Sequence, residues 1–144
     1  MNFKLRSLCI GLVVTAFIFA VPGNITTRTA SALAATTNYS QYVGKYPSEM
    51  FKKEPALKTK LRTLLGTSYK AFFDRLQTEM PIEKDGSAIV ARGCAAHECT
   101  VEEAILVIQN DTLYVALRMN SKFSKTFPAD RSKLPEALKR AMEQ

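Results

Sequence analysis

The chain has few of the residues that most often carry catalysis or bind metals. Its 144 residues include one histidine, three cysteines and no tryptophan. With one histidine it is poorly equipped for a zinc site, which normally takes four Cys, His or carboxylate ligands. No G-x-S-x-G segment occurs, which argues against a serine hydrolase. Basic residues are spread along the chain without an Arg-rich block or an interleaved aromatic motif, so nucleic-acid binding is not favoured.

The N-terminus has the pattern of a secretory signal peptide. Lys4 and Arg6 form a small positive region, and residues 8–21 are almost wholly apolar. That run is within the about 7–15 residues of a signal's apolar segment and shorter than the roughly 20 that a membrane-spanning helix needs. Ala32-Leu33-Ala34 supplies the small-x-small pattern of a cleavage site. Residues 1–34 are therefore predicted to be removed, with an earlier cut or a retained anchor as alternatives.

Cleavage after Ala34 sets the charge and the compartment of the mature chain. Residues 1–34 hold three basic residues and no acid, which leaves seventeen basic and thirteen acidic residues, a net charge of +4. The remainder has the size of one domain. We expect a polar leader over residues 35–44 and a folded domain over residues 45–144. The predicted location is periplasmic or secreted, with no membrane association after cleavage.

The cysteines agree with export. Cys9 lies in the predicted signal, which leaves Cys94 and Cys99 as an even pair. In an oxidising compartment such a pair is most simply a disulfide. In the chain-entropy model so short a ring contributes only about 2 kcal/mol. The bridge is therefore predicted to shape a loop more than to hold the fold together.

The order of hydrophobic patterns predicts an α+β fold, with N-terminal helices, an antiparallel β-meander and a short C-terminal helix. Helical periodicity runs from Tyr46 to Gln77, with a break at Gly66. Gln109-Asn110-Asp111 indicates a tight turn within a hairpin. The predicted strands cover residues 87–92, 104–108, 112–118 and 122–127, and a helix follows Pro135. Gly93 and the bridge are expected to hold the cysteine loop out at an edge of the sheet.

The loop Cys94-Ala95-Ala96-His97-Glu98-Cys99 permits three interpretations. A metal site would need further ligands and reduced thiols, and exported thiols oxidise. A dithiol oxidoreductase uses C-x-x-C at a helix N-terminus, whereas four residues separate these cysteines. The third interpretation is a rigid loop that presents His97 to a partner. We favour it because the neighbouring alanines are small and the bridge lowers the ordering entropy lost on binding.

Acidic residues concentrate around this loop. Glu98, Glu102 and Glu103 make it the most acidic stretch of a basic protein. Glu102 and Glu103 are adjacent, so on a strand their side chains are predicted to point to opposite faces. They are therefore not expected to act together as a catalytic carboxylate pair.

The loop resembles that of the Ivy-type periplasmic inhibitors of vertebrate (c-type) lysozyme. The hallmark of that family is a disulfide-closed loop, CKPHDC, entered from a strand through a glycine. Here residues 93–99 are GCAAHEC, so Ala95 and Ala96 replace Lys-Pro and Glu98 replaces Asp. The order of helices and strands is also similar over most of residues 42–144.

The resemblance implies an inhibitor rather than an enzyme, without cofactor or metal. In the family the loop histidine enters the lysozyme cleft and bonds the catalytic carboxylates, and His97 occupies the matching position. The implied partner is a c-type lysozyme or a related muramidase, and a homodimer is compatible with the family. The acidic stretch would supply local attraction to a basic enzyme. The alternative is an Ivy-like scaffold that binds another envelope component without inhibiting an enzyme.

Overall fold

The computed structural model describes residues 37–144, so the predicted signal peptide lies outside the described part. This part is α+β, as predicted. Its sheet is antiparallel throughout. In residues 37–144 no helix has the length and apolar character to cross a membrane. The α-helices of the described residues are α1 (Pro47–Lys53), α2 (Pro55–Leu65), α3 (Tyr69–Asp74) and α4 (Glu136–Glu143).

The boundaries of the first helices follow from local chemistry. Pro47 and Pro55 stand in the first turns of α1 and α2, where a missing N–H breaks no helical hydrogen bond. The apolar stripe of α2 faces the core through Leu57, Leu61 and Leu65. Gly66 follows with a φ of 51°, a conformation that glycine adopts without strain, and it ends the helix. This confirms the predicted break at Gly66.

The sheet places two strands at its centre. Along it the strands follow the order β1-β3-β4-β5-β6, and β2 pairs with β3 beside β1. Residues of β3 and β4 are buried almost throughout. The strands are β1 (Thr78–Glu79), β2 (Glu83–Asp85), β3 (Ala88–Cys94), β4 (Glu103–Gln109), β5 (Thr112–Met119) and β6 (Lys122–Phe127).

Helices cover both faces of these central strands. One face of the sheet packs on α1, α2 and α3 through side chains such as Leu106 and Leu117. The other face packs on α4 through Ile105, Val107 and Leu138. Burial on both faces explains why residues 104–108 are apolar without alternation.

Two expectations about the edges of the domain were wrong. Residues 39–42 form a 3₁₀ turn rather than a loose leader, and they bury Tyr39 and Tyr42 in the core. The Tyr42 hydroxyl donates to Glu54 at 2.7 Å, and this bond raises the pKa of Tyr42 to about 12.

The second wrong expectation concerns the cysteine loop, which does not lie at an edge strand. The short polar strands β1 and β2 cover the outer side of β3, so the loop leaves the end of the sheet between two central strands.

Candidate functional site

A disulfide between Cys94 and Cys99 closes the loop that joins β3 to β4, with 4.8 Å between the two Cα atoms. Cys94 is the last residue of β3 and is fully buried. Ala96, His97 and Glu98 are exposed. The bridge therefore joins an exposed tip to a residue that belongs to the core.

His97 lies at the apex of a hydrogen-bonded turn. The Glu98 N–H donates to the Ala95 carbonyl at 3.0 Å, which closes a four-residue turn from Ala95 to Glu98. His97 is its third residue and has a φ of 64°. A positive φ at this position is the mark of a type II turn, and histidine is among the residues that tolerate it best. The backbone thus fixes the position from which the imidazole projects.

Gly93 is required by close backbone packing at the entrance to the loop. It pairs with Glu79 of β1, the short strand that β3 gains on its outer side. A Cβ on Gly93 would lie 2.9 Å from the Thr78 carbonyl oxygen and 3.0 Å from a methyl group of Leu76. Real Cβ atoms do not approach backbone oxygens so closely, so β1 would have to move away. The glycine before the first cysteine therefore lets β1 support the loop.

The return of the loop to β4 is also hydrogen-bonded. The Val101 and Glu102 N–H groups both donate to the Glu98 carbonyl, at 2.8 and 2.7 Å. The Ala95 N–H donates to the Glu102 carbonyl at 3.0 Å. These bonds order the backbone on both sides of the histidine turn without help from a partner.

The expected acidic surface around the loop is not there. Glu103 is 2% exposed, and it accepts from Arg92 Nε at 3.0 Å and pairs with Arg118 at 3.2 Å. Glu102 pairs with Arg75. Two of the three acids are thus neutralised within the protein, and of the three only Glu98 is exposed. The prediction of local acidic attraction through all three residues was wrong.

The two adjacent glutamates do point to opposite faces of the sheet, as predicted. Glu102 faces Arg75, which follows α3, and Glu103 faces Arg92 on the side of α4. Arg92 also donates to the Gln144 side chain at 2.7 Å and to the Ala141 carbonyl at 3.4 Å. The loop exit is therefore held by ion pairs from both sides.

The pairing of these arginines with the loop acids was not predicted from the sequence. A signal was available for Arg92, which shares a strand face with the buried residues Ala88 and Val90. A charged residue at such a position is almost never buried unless it is paired. Its partner could not be assigned from sequence, because the pairing depends on the register between β3 and β4.

The sulfur atoms of Cys94 and Cys99 are bonded to each other, so neither is a thiolate that could bind a metal ion. Among residues 37–144 no group of three or more His, Cys, Asp or Glu residues lies close enough together to hold a metal ion. The exposed imidazole of His97 is left as the distinctive chemical group of the loop.

Comparison with known families agrees with this geometry. A sequence model of the family described as inhibitor of vertebrate lysozyme (Ivy) matches residues 56–144. The match takes in all six described strands and the whole disulfide loop, more than half of the chain. The chain belongs to the Ivy family. No significant match to a curated protein or to a solved structure was found. The Ivy assignment confirms the resemblance inferred from the loop residues.

Opening the disulfide is expected to loosen the loop while the Ivy domain stays folded. The double variant Cys94→Ala, Cys99→Ser should lose about 2 kcal/mol of unfolding free energy or less, because the closed ring is short. Alanine suits position 94, since the Cys94 side chain is buried and alanine places no polar group there. Urea denaturation measures the loss. A variant that is unfolded at room temperature would show that the bridge holds the whole fold.

Proposed function

We propose that this Ivy protein inhibits a c-type lysozyme or a related muramidase by inserting His97 into the catalytic cleft. The observation that carries the proposal is the position of His97, exposed at the apex of a disulfide-closed turn in a chain of the Ivy family. The proposed contact surface is the loop from Cys94 to Cys99, with Ala95, Ala96 and Glu98 around the histidine.

The chemistry of the target favours an imidazole as the inserted group. A retaining glycosidase holds two catalytic carboxyl groups about 5–5.5 Å apart. An imidazole has a nitrogen on each side of its ring, and the protonated ring donates at both. It can therefore lie between the two carboxyl groups and bond each of them. Such charge-assisted hydrogen bonds are shorter and stronger than neutral ones.

The loop suits insertion into a cleft for two structural reasons. Ala95 and Ala96 are small, so the imidazole of His97 projects beyond the two residues that precede it. The disulfide and the turn bonds order the backbone before binding, and this reduces the entropy lost on association. The loop thus resembles a preformed plug more than a flexible arm.

The charge distribution favours an attraction to lysozyme that acts mostly at the disulfide loop. The predicted mature chain carries a net charge of +4, so long-range steering toward a basic lysozyme is unfavourable. Glu102 and Glu103 do not offset this, since both are paired internally. We therefore expect affinity for a basic enzyme to come from His97 and Glu98 at short range.

The proposal is tested by titrating a c-type lysozyme that hydrolyses peptidoglycan with the purified protein. We expect activity to fall to an end point near one inhibitor per enzyme, and a glycan oligosaccharide that fills the cleft should compete. Binding that leaves hydrolysis unchanged would favour the alternative, an Ivy-like scaffold for another envelope component. Absence of both binding and inhibition with every muramidase tested would contradict the proposal.

Export belongs to the same proposal, because peptidoglycan lies outside the cytoplasm. Residues 1–34 would be removed and the mature protein would act in the periplasm or outside the cell. The intact mass of the exported protein tests the cut after Ala34. A homodimer stays a prediction, which the molar mass in solution tests.

Proline at position 96 is expected to improve the inhibitor. Ala96 is the second residue of the turn, where proline fits a type II geometry, and proline stands there in the Ivy loop. The substitution removes only a long 3.4 Å bond from the Ala96 N–H to Gln77. Ala96→Pro should tighten inhibition by about 2- to 5-fold by restricting the free loop. Ala95→Pro, which removes the bonded Ala95 N–H, is the matched control and should weaken inhibition. Weaker inhibition by Ala96→Pro would contradict the assigned turn.

A further inference from the structure

We infer that Glu102 is a positioning residue, which Arg75 holds so that the disulfide loop presents His97 from a fixed place. The inference deepens the proposed function and rests on it for one of its two tests. It also gives Glu102 a role different from the one its charge suggests in the sequence, since its carboxylate acts within the protein rather than on a partner.

The side chain of Glu102 connects the loop exit to two other segments of the chain. One carboxylate oxygen accepts from Arg75, and the other accepts from the Asn120 N–H at 3.1 Å. Arg75 in turn donates to the Arg118 carbonyl at 3.1 Å and to the Ala71 carbonyl at 2.8 Å. The end of α3 and the end of β5 with the turn that follows it are therefore both connected to the loop exit by this carboxylate and Arg75.

The backbone of Glu102 transmits that anchoring to the histidine turn. Its N–H donates to the Glu98 carbonyl at 2.7 Å, and its carbonyl accepts from the Ala95 N–H at 3.0 Å. Ala95 and Glu98 are the first and last residues of the turn that has His97 near its apex. A displacement of Glu102 would therefore move both ends of that turn.

The Arg75–Glu102 pair is unlike an ordinary surface ion pair. The two side chains are 12% and 19% exposed, so water screens them little. The Lys70–Asp74 pair on α3 provides a comparison in the same region, with side chains 85% and 49% exposed that hydrogen-bond each other. Exposed pairs of that kind contribute little to stability. Asp74→Asn is therefore a matched control for Glu102→Gln.

Glu102 also differs from Glu103, the acid beside it. Glu103 is buried with two arginines on the α4 side, where loss of its charge would affect the whole fold. Glu102 keeps some contact with water, and glutamine at position 102 preserves an oxygen for the Asn120 N–H. Glu102→Gln is thus expected to leave the domain folded while it releases Arg75 from the loop.

The first test uses the free protein and does not depend on any enzyme. Hydrogen exchange at the Ala95 and Glu98 amides should be about tenfold faster in Glu102→Gln than in wild type, as expected when one charge-assisted hydrogen bond is lost. Asp74→Asn should leave both rates unchanged. Equal exchange in wild type and Glu102→Gln would overturn the inference.

The second test measures whether Glu102 acts through His97. Glu102→Gln should weaken muramidase inhibition about tenfold in the wild-type background and less than about twofold in the His97→Ala background, because coupled residues are not additive. Equal losses in the two backgrounds would mean that Glu102 contacts the enzyme itself, and would overturn the positioning role. If the wild type inhibits no muramidase, the proposed function fails, and the exchange rates still decide the positioning role.

Discussion

Replacing Glu103 with alanine should lower the free energy of unfolding by about 3–5 kcal/mol, the usual cost of removing one partner from a buried ion pair. The carboxylate is 2% exposed, and it is the acid that Arg92 and Arg118 share. Without it, two guanidinium groups would stay in a site with little access to water. Arg92 would keep its bonds to Gln144 and Ala141, whereas Arg118 would keep its stacking on Phe123, 4.5 Å from the ring centre.

Two further variants separate the loss of charge compensation from a general loss of packing. Glu98→Ala removes the exposed acid of the same loop and should change stability by less than about 0.5 kcal/mol. The triple variant Arg92→Met, Glu103→Leu, Arg118→Met replaces the whole cluster by apolar groups and should recover most of the loss. Urea denaturation of the variants provides the comparison. A loss below about 1 kcal/mol for Glu103→Ala would mean that water reaches the cluster.

Replacing His97 with alanine is expected to separate inhibition from folding. The side chain is exposed and its imidazole makes no hydrogen bond within the described residues, so the unfolding free energy should fall by no more than about 1 kcal/mol, mainly the cost of alanine at a positive φ. In the proposed complex the imidazole is desolvated between two carboxyl groups. Losing a hydrogen bond to a charged group costs about 1.5–3 kcal/mol. Inhibition should therefore weaken by roughly 10- to 150-fold, at 1.4 kcal/mol per decade.

His97→Asn is the matched control for the backbone. Asparagine tolerates a positive φ at least as well as histidine, so the turn should keep its shape. It lacks a ring with a nitrogen on each side and cannot carry a positive charge. We expect this variant to be as weak an inhibitor as His97→Ala. Full inhibition by His97→Asn would show that turn geometry matters more than imidazole chemistry.

The parts of the fold that local rules determine could be predicted from sequence. Proline at position 55 and glycine at position 66 bound a helix by their own backbone preferences. Asn110 and Asp111 both adopt positive φ in the turn between β4 and β5, as such residues do in tight hairpins. The apolar run at residues 104–108 indicated a central strand because burial on both faces removes alternation.

The parts that depend on long-range pairing were not visible in the sequence. The strands β1 and β2 are two and three residues long and polar, and they form because β3 offers an open side. Glu102 pairs with Arg75, and Glu103 pairs with Arg92 and Arg118. Each of these arginines lies in another part of the fold than its partner. The residue types alone suggested an acidic docking surface. The strand register and the packing of α3 are needed to see that Glu102 and Glu103 are paired within the protein.

The central claim is that His97 is the group that blocks the enzyme, and one titration tests it most directly. A fixed amount of c-type lysozyme is titrated with wild-type protein and with His97→Ala protein, both verified as folded and oxidised. We expect the wild type to inhibit near one equivalent and the variant to need roughly 10- to 150-fold more protein, the loss expected for a charge-assisted bond. Equal inhibition by the two proteins would contradict the role of His97, even if the chain proved to be an inhibitor.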